Sequence, residues 1–306
     1  MYRCCDHFSP CNRSIYLAFE RIQNKAQALE VRGRLIQDDR YPFARGANSH
    51  IYKGRIILPE GSECRVALKM IFSNHNGESN EARLKREAEI WAQLNHKNVV
   101  PFLGMAHGIG GPVLVSPLYE LGHIGMFLSK RPEANRSDIV LGVAAGLEYL
   151  HAHEVVHGDL KLQNVLVDDS GTPFICDFGI SKIINRHGFT TVGVGTLPYM
   201  APELLIPFDL GVLKEQPSTT TATDVYSFGL LALEILTSEA PKRGPVRVFM
   251  SAKDIGPDLS PKRVDYGLHS VITDEIWSIL ESCWAFEPQC RPAISEVRVQ
   301  LTLAFV

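Results

Sequence analysis

Between Tyr41 and Ile71 the apolar residues come in short runs rich in β-branched side chains, Ile51-Tyr52, Arg55-Ile56-Ile57 and Val66-Ala67-Leu68, punctuated by Gly46, Gly54, Pro59 and Gly61. Such a pattern predicts antiparallel strands joined by turns. From Ser79 to Leu94 the period changes, and Leu84, Ala88 and Trp91 recur at the spacing of one helical face. Strands are predicted to resume at Val99-Val100 and at Val113-Leu114-Val115. Beyond Gly122 the pattern is mainly helical, as from Ser137 to His151, where Ile139, Val140, Val143, Leu147 and Leu150 share a face. Two short apolar strands, Val165-Leu166-Val167 and Phe174-Ile175-Cys176, interrupt it. The stretch Asp224 to Thr237 is apolar almost all round, which marks a helix buried in a second core. No repeat is visible, and the one biased segment, Ser218-Thr219-Thr220-Thr221, reads as a solvated loop.

Charges that break these apolar patterns carry the chemistry. Glu87 sits beside the inward stripe of its predicted helix, and a buried carboxylate needs a cation. Lys69, at the end of the apolar strand Val66-Ala67-Leu68, is the candidate; taken singly, either residue reads as an ordinary surface charge. The segment His157-Gly158-Asp159-Leu160-Lys161-Leu162-Gln163-Asn164 puts a carboxylate and an amide in an irregular stretch just before a strand. Further on, Asp177-Phe178-Gly179 follows the next strand, with a glycine free to adopt backbone angles closed to other residues. Asn164 and Asp177 are oxygen donors of the kind that suits Mg²⁺.

In this order the motifs resemble the protein kinase superfamily, over about Gln37 to Leu303. The resemblance implies an α+β, bilobal fold: a small β-rich N-lobe with one long helix, at about 37–118, and a larger, mainly helical C-lobe at about 119–304. Residues 1–36 are left as an extension of unknown role. It further implies ATP and Mg²⁺ as cofactors and proteins as substrates. Lys69 would hold the α- and β-phosphates and pair with Glu87. Asp159 would be the catalytic base, Lys161 the contact to the γ-phosphate, and Asn164 and Asp177 the magnesium ligands. Ser116 takes the gatekeeper place, Pro117 to Tyr119 the hinge whose backbone bonds adenine, and Ile51, Ala67 and Leu166 the apolar walls around the ring. Ala201-Pro202-Glu203, Asp224 and Arg291 match later landmarks, with Glu203 and Arg291 a structural ion pair. Lys161, together with Thr196 in the run Gly195 to Glu203, has the form seen in serine/threonine kinases. Cys283-Trp284 through Arg291-Pro292, with Asp224 to Gly229, looks most like the tyrosine-kinase-like branch.

Two departures bear on activity. Where the family's phosphate loop carries three glycines, this chain reads Ala44-Arg45-Gly46-Ala47-Asn48-Ser49-His50-Ile51 and keeps only Gly46. At Gly158 many kinases carry an arginine that pairs with a phosphorylated activation loop, so phosphate on Thr190 or Thr191 lacks its usual cation unless Lys182 or Arg186 supplies one. Both an active phosphotransferase and a pseudokinase scaffold that binds partners without turnover are compatible with this pattern.

Bulk properties narrow the partners. The 306 residues are 45% hydrophobic and 21% charged with a net charge of −3, a globular composition without the basic footprint expected for nucleic acid or a membrane surface. No apolar run has the length of a signal peptide or a membrane span, and seven scattered cysteines read as reduced thiols, so the expected location is cytoplasmic. Cys4, Cys5 and Cys11 with His7 lack the paired spacing of a zinc site and read as an exposed leader. The pattern leaves oligomeric state open.

Overall fold

Two nine-residue strands, β3 (Ser49–Ile57) and β4 (Glu63–Ile71), run antiparallel through their whole length and form the spine of a sheet. The computed structural model that contains them describes residues 31, 33–46, 49–59, 61–71, 80–108, 111–178, 182–183, 196–205, 218–244, 259–267, 269 and 271–306. The leader cysteines and His7, and Asn48, Gly179, Arg186, Thr190 and Thr191, lie outside the described residues. The chain divides into two units, Met1–Glu120 with Asp168–Ser170, and Leu121–Val167 with Gly171–Val306.

In the first unit, β1 (Arg34–Gln37), β3, β4, β6 (Gly111–Pro117) and β5 (Gly104–Gly108) neighbour one another in that order, and the short β2 (Ala44–Arg45) pairs with β3. The sheet curls enough for Val31 N, just before β1, to donate to Met105 O in β5 at 2.8 Å. Alternation along the strands buries Ile56, Cys64, Val66, Leu68, Val113 and Val115 in one cluster. Residues Ile51, Ala67, Lys69 and Ser116 alternate with these and share the other face, through the cross-strand pairs Ile51 with Lys69 and Ala67 with Ser116. Helix α1 (Asn80–Trp91) packs on β4 and β6 and buries Leu84, Ala88 and Trp91, as its period predicts.

Two local expectations for this unit are corrected. Gly54 does not break a strand: a Cβ there would lie 2.8 Å from both Ile36 O and Leu68 Cδ1, so it is where β1 and the core crowd the middle of β3. Val99 and Val100 are buried but belong to no strand. Val99 N closes a turn onto His96 O at 3.0 Å, and the Trp91 indole takes Val100 O at 2.6 Å, removing an acceptor that a ladder would need. The strand in this stretch is instead β5, Gly-Met-Ala-His-Gly, which pairing to β6 imposes on a weak strand former. β1 is an additional strand, paired to β3.

The second unit is mainly helical. Helix α2 (Ile124–Lys130) is short, and α3 (Arg136–Ala152) begins at Asn135, whose side chain accepts from Ser137 N and Asp138 N. Helix α4 (Thr221–Thr237) is buried along most of its length between α3 and α5 (Asp274–Cys283), and α6 (Ile294–Ala304) closes against α3 and α5. Its start corrects the loop reading of Ser218 to Thr221: Thr219 is buried, and Thr220 caps the helix in a reciprocal box with Thr223. Between α3 and α4 lie β7 (Val155–Val156), the hairpin of β8 (Val165–Val167) and β9 (Pro173–Ile175), and β10 (Lys182–Ile183), which pairs with β7. A sheet-bearing unit and a helical unit are the expected α+β class.

Arg291, whose side chain is 0% exposed, grips both oxygens of Glu203 at 2.6 and 2.8 Å and donates to Ala222 O, Ala285 O and Phe286 O. Its guanidinium carbon also stands 4.9 Å from the centroid of the Tyr226 ring. Arg291→Met removes one partner of a paired charge and orphans several acceptors, so a loss of about 3–5 kcal/mol in unfolding free energy is expected by denaturant titration. A loss under about 1 kcal/mol would show that the pair is no more than a surface contact.

Candidate active site

In the first unit the face of the sheet opposite the core carries the charged pair. Lys69 Nζ, from β4, lies 2.6 Å from Glu87 Oε1 on α1, with side-chain exposures of 12% and 3%. Burial this deep makes each charge depend on the other. The β2–β3 turn is closed by Gly46 N donating to Ser49 O at 2.8 Å. Ser49 is buried, and its Oγ lies 2.9 Å from where a Cβ on Gly46 would stand, so a side chain at the one surviving glycine would require the serine hydroxyl to turn away. Ser116 and Pro117 end β6 opposite Ala67 and Val66, Leu118 N donates to Arg65 O at 3.3 Å, and Tyr119 is buried. Pro117 has no N–H, so the hinge can offer a carbonyl there but not a donor.

The second unit gathers the remaining candidates around one carboxylate. Thr196 Oγ1 donates to Asp159 Oδ1 at 2.8 Å, Lys161 Nζ to Asp159 Oδ2 at 2.5 Å, and Asn164 Nδ2 to Asp159 Oδ2 at 3.2 Å and Asp159 O at 2.8 Å. Lys161 Nζ also donates to Thr196 Oγ1 at 2.8 Å, which closes a ring of bonds. Asp177 is tied to this loop through the chain, since Cys176 N donates to Asn164 O at 2.9 Å. At φ 70° Asp177 holds a left-handed conformation that costs a non-glycine residue about 1 kcal/mol. Leu166, in β8, pairs with Phe174 and bridges to His123.

What holds this loop is a buried polar column. Asp224, 1% exposed on α4, accepts His157 N on Oδ2 and Gly158 N on Oδ1, both at 2.8 Å, and His151 Nε2 lies 2.9 Å from Oδ2. Cys176 O, which can only accept, lies 2.9 Å from His157 Nε2, while Asp159 N, which can only donate, points at His157 Nδ1 at 3.2 Å. His157 is therefore the neutral tautomer with its proton on Nε2. Gly158 sits at φ 84°, which glycine occupies without the penalty an arginine would carry. Below the loop, Tyr199 donates through its hydroxyl to Glu234, and burial pushes both the phenol and the Glu234 carboxyl up, the hydrogen bond drawing the carboxyl partway back.

Thr196, His157 and Asp224 thus do more positioning than their motifs alone announce, and His151 joins them without any motif. The sequence profile of the protein kinase domain matches residues 44–300. The chain belongs to the protein kinase family. Among its relatives, this kinase is 29% identical to the serine/threonine/tyrosine-protein kinase HT1 of Arabidopsis thaliana over 83% of the chain and 63% of HT1. It is 27% identical to the Arabidopsis serine/threonine-protein kinase STY17, over 82% of the chain and 42% of that protein. To the mitogen-activated protein kinase kinase kinase zak-1 of Caenorhabditis elegans it is also 27% identical, over 84% of the chain and 33% of zak-1. The kinase thus spans between a third and under two thirds of the length of these curated relatives, and they support its resemblance to the tyrosine-kinase-like branch.

Proposed function

We propose that the chain is an active kinase that transfers the γ-phosphoryl group of ATP, with magnesium, to serine or threonine hydroxyls of protein substrates. The observation that carries this reading is the ring of bonds at Asp159, since a scaffold without turnover has no use for a carboxylate held by Thr196, Lys161 and Asn164 together. Asp159 takes the proton of the acceptor hydroxyl on a carboxylate oxygen, and its three donors keep it aimed. Lys161, bonded to Oδ2, brings a positive charge to the side of the carboxylate where phosphate oxygens gather charge. Lys69, steadied by Glu87, addresses the α- and β-phosphates, and the backbone of Pro117 and Tyr119 addresses adenine.

The donor set fits a hard cation. Asn164 spends only its Nδ2 on Asp159, so the amide oxygen is not used in those bonds, and Asp177 follows the residue whose amide is bonded to Asn164 O. When bound, Mg²⁺ would neutralise charge on the phosphate oxygens. The proposed acceptor class follows Thr196 on Asp159 and the serine/threonine names of the relatives. A cytoplasmic location is proposed on the reduced thiols of Cys283 and Cys290.

Ala44 and Ser49 in place of glycines favour the second reading, a pseudokinase. One experiment separates the two: magnesium-dependent autophosphorylation of the purified chain beside Asp177→Ala. Transfer that needs magnesium and vanishes in the variant supports the enzyme, and no transfer in either selects the scaffold. If the enzyme reading holds, weak ATP binding is expected, because added Cβ atoms limit the approach of backbone N–H groups to phosphate. Weakening one charge-assisted bond by ~1–2 kcal/mol corresponds to ~5–30-fold in affinity. Ala44→Gly with Ser49→Gly should therefore lower the KM for ATP at unchanged turnover; an unchanged or higher KM rejects the loosened lid.

A further inference from the structure

Arg243, in the segment after α4, has no carboxylate within ion-pair distance among the described residues, and its hydrogen bonds there go to backbone carbonyls. Its Nη1 donates to Leu197 O at 3.3 Å, Pro198 O at 3.1 Å and Met200 O at 2.9 Å, and its Nε to Leu259 O at 2.9 Å. The guanidinium carbon lies 5.1 Å from the centroid of the Tyr226 ring. Burial lowers its proton affinity, but an arginine starts so high that it stays charged. A fixed fork of donors suits several carbonyls at once, whereas an ammonium on a flexible stem would not.

The segment so gripped is short of internal support. It forms a single 3₁₀ turn, Leu197–Tyr199, with Tyr199 N on Thr196 O at 2.9 Å and Met200 N on Leu197 O at 3.2 Å, and Pro198 has no N–H to give. On one side Tyr199 is held to α4, its carbonyl accepting Ser227 Oγ at 2.9 Å. Elsewhere Met200 and Leu205 pack with Leu259, the residue whose carbonyl Arg243 also holds. The next residue back is Thr196, whose hydroxyl bridges Asp159 and Lys161.

We propose that Arg243 is a positioning residue for phosphoryl transfer: by clamping the carbonyls of residues 197–200 it sets Thr196 on Asp159 and fixes the backbone beside which the acceptor hydroxyl must come. This rests on the reading of Asp159 as the base. Because the clamp touches no nucleotide-binding residue described above, its loss should fall on the protein acceptor and not on ATP.

The test compares Arg243→Met and Arg243→Lys, in wild-type and Thr196→Ala backgrounds, with dephosphorylated casein as the acceptor. Arg243→Met is expected to lower kcat/KM for casein roughly tenfold or more while the KM for ATP stays within about twofold. Arg243→Lys should recover part of the loss. In the Thr196→Ala background Arg243→Met should cost little more, since the two act in series. A parallel rise in the KM for ATP, or full additivity with Thr196→Ala, would overturn the proposal. If Arg243→Met does not fold, Arg243→Lys carries the same cycle. Should the wild type phosphorylate nothing, the kinase reading fails, and the clamp is then decided by amide exchange: Tyr199 and Met200 must exchange faster in Arg243→Lys than in wild type, and equal rates sink it.

Discussion

Replacing Asp159 by asparagine is expected to cut phosphoryl transfer by roughly 10²–10⁴-fold while leaving fold and ATP affinity close to wild type. The bonding around the side chain explains why both halves of that outcome should hold. Oδ2 serves Lys161 and Asn164, which can only donate through the atoms concerned, so the amide oxygen must stay on that side. The new amide nitrogen then faces Thr196 Oγ1, a hydroxyl that can turn and accept. The ring of bonds survives with one direction reversed, but an amide takes no proton from an acceptor. Transfer by the purified variant at wild-type rates would remove Asp159 from the role of base.

Lys69→Met and Glu87→Ala should each lower kcat/KM by about 10²–10³-fold, and together by little more than either alone. At 2.6 Å, with both groups largely out of water, the ammonium and the carboxylate act as a unit. Lys69→Met removes the proposed phosphate contact together with the ion pair, while Glu87→Ala removes the carboxylate that steadies the lysine on the face of β4. Single-turnover rates and ATP titrations of the four proteins of the cycle measure the coupling. If the double variant lost the product of the two single losses, independent roles would replace the pair.

Which parts of this architecture could be read from the chain follows from where the determining contacts lie. The Lys69–Glu87 pair was legible because a carboxylate beside an apolar stripe is costly, and the cost names the partner it requires. Helices α3 and α4 were legible because one shows a clear face and the other shows none, the signatures of half and full burial. The Val99-Val100 strand failed for a reason no propensity contains: an indole from α1 consumes one of its carbonyls. Gly54 failed in the opposite sense, as a residue that breaks strands in isolation is here the only one small enough for the middle of β3. Of the candidate site, the ordered motifs supplied Asp159, Lys161, Asn164 and Asp177, but not the hydroxyl of Thr196 on the carboxylate. Arg243 left no trace, since a side chain whose hydrogen bonds go to backbone carbonyls leaves no charged partner to find in the sequence.

The anchorage of the Asp159 segment on Asp224 also constrains how such a protein can be controlled. Two successive amides, of His157 and Gly158, are fastened to a buried carboxylate in the first turn of α4, a helix buried along most of its length. Loosening them means taking the core apart, so the segment has little local freedom that a signal could add or remove. With glycine where an arginine would read a phosphate, it also lacks that handle. Regulation that works by ordering the catalytic loop would find it already ordered, and must act instead on the elements that bring substrate and nucleotide to it.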